Sequence, residues 1–597
     1  MTSIAQRLAA VRELMACAGY DALIVPRADE YLGEYIPAHN ERMQWISGFN
    51  GSAGVIIVLQ DKAAIFVDGR YTVQVRREVA PQCYEYHHLL DEPPIDWLVA
   101  QLPVGARVAC DPRMHSLSWY QSTQTTLQSV NMELIGEPEN LVDRSWADRP
   151  EPKVGAAILL EPCYSGESSM DKRRRIAGSL VELGADAALI FAPDSVSWLL
   201  NIRGTDIDCL PVVQSFAILS ADGSLLLFVD PGRVPQGLIE HVGGGIELLP
   251  EAGAEQVFAR FQGLKILADP QASNAWTQLS LAANGAILIA AEDPVLLPKA
   301  CKNPVEISGA RRAHIRDAVA EICFLAWLDA EVAAEKLHDE ATLADKLLSI
   351  RQLGELFQDS SFDTISAAGA NAAMCHYNHL NGEPARLPMD SVYLLDSGAQ
   401  YRDGTTDITR TIAIGNPGDE IRRMYTLVLK GHIALALARF PAGTNGNQLD
   451  VLARQFLWRE GCDYDHGTGH GVGSFLSVHE APQRIAKHNN TVALRPGMII
   501  SNEPGYYRDG CFGIRCENLV VVQESSAPVA ETPMLEFETI TLVPFDHRLL
   551  LLELLTDEEA QWLDRYHAKV WGSIGPLLDG LDRDWLRQAT VPISQLS

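Results

Sequence analysis

The chain has 597 residues, 47% of them hydrophobic and 21% charged, and a formal net charge of −29. One hydrophobic core does not grow that large, so about three or four domains are expected, and no apolar run reaches the roughly 18 residues of a membrane-spanning helix. The acidic balance argues against nucleic acid as a partner, because phosphates are recognised by clustered Lys and Arg.

The chain opens on helix-spaced Ile4, Leu8, Val11 and Met15, without the basic segment, apolar core and cleavage site of an export signal. Its eleven cysteines are scattered and lack CxxC pairs, which predicts reduced thiols and a cytoplasmic location. A faint repeat runs through the first 300 residues. The opening helix leads into GYDALIV (Gly19 to Val25), WISGF (Trp45 to Phe49) and AAIFVDGRY, ending at Tyr71. Ile176, Leu180 and Leu183 lead likewise into GADAALIF (Gly184 to Phe191), WLLNIRG (Trp198 to Gly204) and SLLLFVD, ending at Asp230. Helix, buried strand, Trp-centred turn and a strand ending in Asp recur in one order. Two related α/β domains are therefore expected, over 1–150 and 151–303, with the polar DRSWADRPEPKVGAA (Asp143 to Ala157) linking them.

In LLPKACKNPVE (Leu296 to Glu306), Asn303 and Pro304 predict the start of a long amphipathic helix. Ile307, Ala310, Ile315, Ala318, Ile322 and Leu325 fall on one side of it. Further on, β segments alternate with Gly, Asn and Pro turns, giving an α+β third domain over 304–545. An extension follows over 546–597, with Trp562, Leu563 and Tyr566 at helical positions, packing either on its own domain or between copies.

Five candidates close or interrupt apolar segments of that third domain. Asp396 ends SVYLLD, Asp407 lies in DGTTDITRTIAI, His470 in HGTGHGVG, Glu503 follows GMIISN and Glu517 stands in GIRCENLVVV. A carboxylate at such a place loses solvation and needs a cation or hydrogen-bond network to compensate it. His466 and His470 at i, i+4 suggest a zinc-protease helix, but the glycines around them each cost a helix about 1 kcal/mol against alanine. The segment also lacks the ending of a phosphate cradle. Its glycines are expected to let the backbone approach ions and peptide. Four carboxylates and an imidazole can hold two divalent ions about 3.5 to 4 Å apart for metal-assisted hydrolysis, and oxygen-rich ligation favours manganese. Geometry raises one obstacle. A two-residue turn at Asp403-Gly404 would set Asp396 opposite Thr411, about 13 Å along the ladder from Asp407's own partner, so a longer loop or a bulge is expected.

LLDSGAQYRDGTTDITRT, HGTGHGVGSFLSVHE, NEPGYY and FGIRCENLVVV together resemble the signature segments of aminopeptidase P, the manganese-dependent X-Pro aminopeptidases, in their long three-domain form. SGFNGSAG, VDGRY, WLLNIRG, ETITLVPFD and LTDEEAQWLDRYH extend the resemblance over essentially the whole chain. It implies two creatinase-N-like α/β domains before a pita-bread catalytic domain. It implies that Asp396 chelates one of two divalent ions, Mn2+ with Co2+ or Zn2+ as alternatives. Asp407 and Glu517 would bridge both ions, and His470 and Glu503 would complete the other coordination sphere. His376, His466 and His479 would line the site without binding metal, and Glu503 would assist proton transfer. Arg515 is expected either to hydrogen-bond a ligand carboxylate or to sit at the surface. His379 reads as a loop or supporting residue, His432 as a packed or exposed helix residue, and Trp45, Trp198 and Arg203 as core and turn residues. The implied reaction releases the N-terminal residue from peptides with proline second, by a homodimer. An X-Pro dipeptidase would use the same metal site, whereas a non-catalytic peptide-binding scaffold would need no metal.

Overall fold

The computed structural model describes residues 3–488, 490–526 and 531–596. The chain forms two compact units, Met1–Leu160 with Glu167–Leu296, and Glu161–Gly166 with Leu297–Ser597. No helix among the described residues is long and apolar enough to cross a membrane, and none of the eleven cysteines forms a disulfide.

In the first unit, Ser3 and Gln6 form a reciprocal capping box that starts the helix Ile4–Ala18, whose Leu8, Val11 and Met15 are buried. The two repeats fold alike. Strands Glu85–His88, Ala63–Val67, Val55–Leu59, Ala22–Pro26, Arg107–Cys110 and Glu133–Gly136 form one six-stranded sheet in that order. Ile246–Leu249, Leu225–Val229, Ser215–Ser220, Ala187–Ile190, Lys265–Ala268 and Ile287–Ala290 form the other. Position by position the pairings agree: parallel, antiparallel, antiparallel, parallel, parallel. Even the strand-final aspartates correspond, since Asp68 and Asp230 each accept a backbone N–H two residues on. The tryptophan segments depart from expectation. Trp45 and Trp198 lie in short helices, Arg42–Ser47 and Pro193–Leu200, and the reversal falls on the next residue, where Gly48 and Asn201 adopt the left-handed conformation that ends a helix.

The long helix of the second unit is α1 (Pro304–Ala333), which Asn303 caps through the Val305 and Glu306 N–H groups, with Pro304 at the first position. After α2 (Glu340–Arg351) come β1 (Phe357–Ser360), β2 (Ile365–Ala368), β3 (Ser391–Ser397), β4 (Ala399–Tyr401), β5 (Gly404–Thr405) and β6 (Ile408–Ile414). These make two three-stranded sheets, β1-β4-β5 and β2-β3-β6. Helices α3 (Asp419–Ala436) and α4 (Gly446–Trp458) follow, then β7 (Gly469–Gly471), β8 (Glu480–Ile485), β9 (Ile499–Asn502), the hairpin of β10 (Gly505–Arg508) and β11 (Phe512–Arg515), β12 (Asn518–Glu524) and β13 (Met534–Thr539). A six-stranded sheet runs Arg439–Pro441, β13, β12, β9, β7, β8. The extension packs on its own unit. Trp562, Leu563, Tyr566, Val570 and Ile574 of α5 (Asp557–Ile574) share a core with Ile322 and Leu325 of α1 and Tyr425 and Val428 of α3.

Candidate metal centre

The β3–β6 hairpin removes the geometric obstacle. Tyr401 pairs with Gly404, so the turn residues are Arg402 and Asp403, one position earlier than expected, and the same register pairs Asp396 with Thr409. No longer loop or bulge is required. Asp407 lies two residues from Thr409, just before β6, which brings it near enough to Asp396 for its charge to act on that carboxyl. Asp403 pins this turn: it is buried and pairs with Arg312 at 3.2 Å and with Arg316, both of α1. At Gly398, where the ladder passes from one sheet to the other, a Cβ would sit 2.1 Å from the Thr406 carbonyl oxygen.

The six-stranded sheet supplies the other three candidates. His470 is the middle residue of β7, Glu503 follows β9 and Glu517 precedes β12. Asp407, His470 and Glu517 each offer one ligand atom, all within 4.8 Å of one another. His470 Nε2 lies 3.4 Å from both Asp407 Oδ2 and Glu503 Oε1. Its Nδ1 donates to the Gly471 carbonyl at 2.9 Å, which turns Nε2 toward the carboxylates. Gly469 and Gly471 serve a different approach from the one expected. A Cβ would lie 2.0 Å from Ser501 O or 2.4 Å from Glu480 O, so these glycines let β7 seat between its neighbouring strands.

Arg515, at the end of β11, is buried and not at the surface. It donates to Asp396 Oδ2, to Thr409 Oγ1 at 3.1 Å, to Tyr507 OH at 2.6 Å and to the Cys375 carbonyl at 3.3 Å. Thr409 Oγ1 in turn donates to Glu517 Oε2 at 2.8 Å. Two oxygens remain: Asp396 Oδ1 and Glu517 Oε1 are buried with no hydrogen-bond partner among the described residues. Orphaned carboxylate oxygens are costly. Beside Asp407, Glu503 and an imidazole, these two fit divalent cations.

The charges point the same way. Burial lifts Asp396 to about 6, with Asp407 adding to it and the Arg515 guanidinium opposing. Burial, joined by the charges of Asp407, Asp396 and Glu503, lifts Glu517 well above the usual carboxylate range. Burial also raises Glu503, against His470 and Arg515. For His470 burial opposes protonation, yet the bond to Asp407 and the Glu503 and Asp407 charges outweigh it and bring the imidazole to about 9. A cluster that holds protons so firmly favours positive charge at its centre.

The remaining histidines surround this group. His466 Nδ1 donates to the Gly467 carbonyl at 2.8 Å, its Nε2 accepts from Tyr507 OH at 2.8 Å, and the ring lies 4.0 Å from Glu503. His479 meets His470 edge to face, ring centroids 4.4 Å apart. His376 is half-buried beside Cys375, whose carbonyl takes the Arg515 bond. His379 is buried in the short helix His379–Asn381, and His432 is buried in α3. Sequence reasoning passed over Tyr507, Thr409 and Arg410. For Arg410 a signal existed: a lone cation in an apolar strand, on the side opposite Thr409 and Thr411.

Four family models cover the chain. Residues 308–524 match metallopeptidase family M24, 7–141 and 148–306 each match the creatinase/prolidase N-terminal domain, and 533–593 match the C-terminal region of peptidase M24. A probable Xaa-Pro aminopeptidase P of Tuber melanosporum is 41% identical, over 98% of this chain and 99% of that one. Aminopeptidase P1 of Arabidopsis thaliana is 36% identical, over 98% and 99%. Among solved structures, the X-prolyl aminopeptidase of Caenorhabditis elegans, described as a cytosolic enzyme with a di-nuclear active site, superposes with a TM-score of 0.94 at 32% identity. That match covers 99% of this chain and all of the other.

Proposed function

The chain belongs to the aminopeptidase P family of M24 metallopeptidases, and on that basis we propose that it hydrolyses the bond between an N-terminal residue and a following proline, releasing the N-terminal amino acid. The convergence of Asp407, His470 and Glu517 beside two unpartnered carboxylate oxygens carries this reading. Asp396 would hold one divalent ion, Asp407 and Glu517 would bridge two, and His470 with Glu503 would complete the second coordination sphere. An oxygen-rich set with a single imidazole suits manganese better than zinc. Bound there, the ions supply Lewis acidity, which acidifies a water and polarises the scissile carbonyl.

The protein's own residues handle the proton. Glu503 accepts it from the attacking water and delivers it to the proline nitrogen as the bond breaks, so that proline leaves as a neutral amine and not as a strongly basic anion. His376, His466 and His479 orient the peptide and stabilise the charge growing on the carbonyl oxygen. Proline's fixed φ and missing N–H defeat an enzyme that grips the second residue by its amide, and a pocket shaped for the ring accepts it. The setting we infer is the cytoplasm, and the working form a homodimer.

Metal-depleted protein given Mn2+ is expected to release arginine from Arg-Pro-Pro and to leave Gly-Pro intact, with Co2+ and Zn2+ restoring less. Preference for Gly-Pro would make the protein an X-Pro dipeptidase. Peptide binding without cleavage at any metal would make it a scaffold and end the proposal.

A further inference from the structure

We propose that the C-terminal extension forms part of the support of the metal centre: Tyr566 of α5, Arg410 of β6 and His432 of α3 are positioning residues that set the spacing of Glu503 and Glu517. The inference rests on the metal-ligand reading above and adds to it the residues that make the ligand geometry rigid.

Glu503 and Glu517 lie just beyond the end of the β9–β12 ladder. The final pair of that ladder is Asn502 with Asn518, the residues immediately flanking the two glutamates. Whatever holds these asparagines holds the carboxylates. His432 grips Asn502 twice: its Nδ1 donates to the Asn502 carbonyl at 3.0 Å, and Asn502 Nδ2 donates to the His432 carbonyl at 2.9 Å. Its Nε2 faces Asn518 Nδ2 at 3.3 Å, so one imidazole ties both strands. Burial keeps this ring far below the usual histidine range, down to about 3, and it therefore stays neutral with one nitrogen donating and the other accepting.

Arg410 and Tyr566 hold the other side of Asn518. Asn518 Oδ1 accepts from Arg410 Nη2 at 2.8 Å and lies 3.3 Å from Tyr566 OH, whose single proton has its shortest acceptor in the Val543 carbonyl at 2.7 Å. Arg410 Nη1 donates to the Glu517 carbonyl at 2.5 Å and to that of Thr409 at 2.9 Å, the residue whose hydroxyl bonds the Glu517 carboxylate. The remaining guanidinium bonds go to the Pro544 and Val543 carbonyls at 3.1 and 2.6 Å and to Tyr566 OH at 3.0 Å. A buried guanidinium with all its donors engaged is a rigid fork, and here its tines reach the Glu517 backbone. The extension locks the fork. Trp562 stacks on Tyr566 with centroids 5.3 Å apart and meets His432 edge to face at 5.9 Å. Arg410, His432, Asn502 and Asn518 are each at most 2% exposed, so water does not substitute for a lost bond.

Tyr566→Phe removes one hydroxyl and keeps the ring. Arg410→Lys keeps the charge and loses the fork. Full-length variants stripped of metal are titrated with Mn2+ by calorimetry, and the metal-free melting temperature and the kcat and KM at saturating Mn2+ are measured alongside. Removing an outer partner of a metal ligand weakens metal binding about 10- to 100-fold. Tyr566→Phe is expected near the lower end and Arg410→Lys near the upper, with KM for Arg-Pro-Pro unchanged and most of kcat recovered at saturating Mn2+. Wild-type Mn2+ affinity in Tyr566→Phe, with only a lower melting temperature, would overturn the inference, and this variant decides alone if Arg410→Lys does not fold. Wild-type protein that binds no Mn2+ would overturn the metal reading as well, which separates the two failures.

Discussion

At the scale of single residues, the site depends on atoms that have no substitute. Asp407 and Glu517 lie in the group of ligand atoms gathered within 4.8 Å, and Glu517 Oε1 has no hydrogen-bond partner among the described residues. Asp407→Ala and Glu517→Ala are expected to lose bound metal and peptidase activity together, activity falling about 10³-fold or more as for a group acting only at the transition state. Metal analysis on the purified variants, paired with the Arg-Pro-Pro assay, checks both halves. Gly398 tests the backbone. Its added Cβ would lie 2.1 Å from the Thr406 carbonyl, a main-chain atom that cannot rotate away. Gly398→Ala is expected to cost about 2 to 3 kcal/mol in urea unfolding, in the range of severe overpacking. The candidate ligand positions stood out in the sequence because each is an acid or imidazole breaking an apolar run. Tyr507 was not legible, since its role arises from bonding both Arg515 and His466, 8 and 41 positions away in the chain.

At the scale of elements, caps and repeats could be read directly, but register could not. Ser3 with Gln6 and Asn303 with Glu306 are local patterns whose bonds close within one turn, so the sequence specifies them. The β3–β6 turn depends on a distant partner. An Asp-Gly pair favours a turn at Asp403-Gly404, yet buried pairing of Asp403 with Arg312 and Arg316 holds the turn one residue earlier. That shift moves Asp396 from opposite Thr411 to opposite Thr409 and creates the site. Asp403→Asn is expected to lower stability by about 2 kcal/mol, less than a fully buried pair would give because Arg312 is half exposed. It should also lower kcat more than KM, because the turn sets where Asp396 and Asp407 stand. Unaltered kinetics in a destabilised variant would show that Asp403 serves folding alone.

At the scale of the whole molecule, acid and metal act on the folded state as a unit. His115, His432 and His567 are buried and held down to about 3, against an unfolded value of about 6.5. The unfolded chain thus binds more protons between those limits. Their contribution to stability is complete above about pH 6.5 and declines toward pH 3, by up to about 1.4 kcal/mol per pH unit for each ring. His567→Gln keeps an acceptor for the Phe545 N–H, now bonded to Nε2 at 3.2 Å. It is expected to flatten the acid limb of a melting-temperature profile between about pH 6.5 and 3. Chelation works at neutral pH: ions at 100 times their Kd stabilise by about 2.7 kcal/mol, so stripping them should lower the melting temperature and adding Mn2+ restore it. An unchanged melting curve after chelation would contradict a resident metal.

By itself the sequence determined the repeated α/β sheets and the long capped helix and brought out five candidate ligand positions, because these follow from local bonding and from side-chain chemistry at the ends of apolar segments, while the family showed in the resemblance of whole signature segments. Tertiary structure alone decided the turn at Arg402-Asp403, the bonding of Arg515 to Asp396 and the linkage of Tyr566 through Arg410 to Glu517. Each of those depends on a buried charge or hydroxyl finding its partner 87 to 156 residues away. Which partner lies within 3 Å is set by how sheets and helices pack, a property that no local pattern carries.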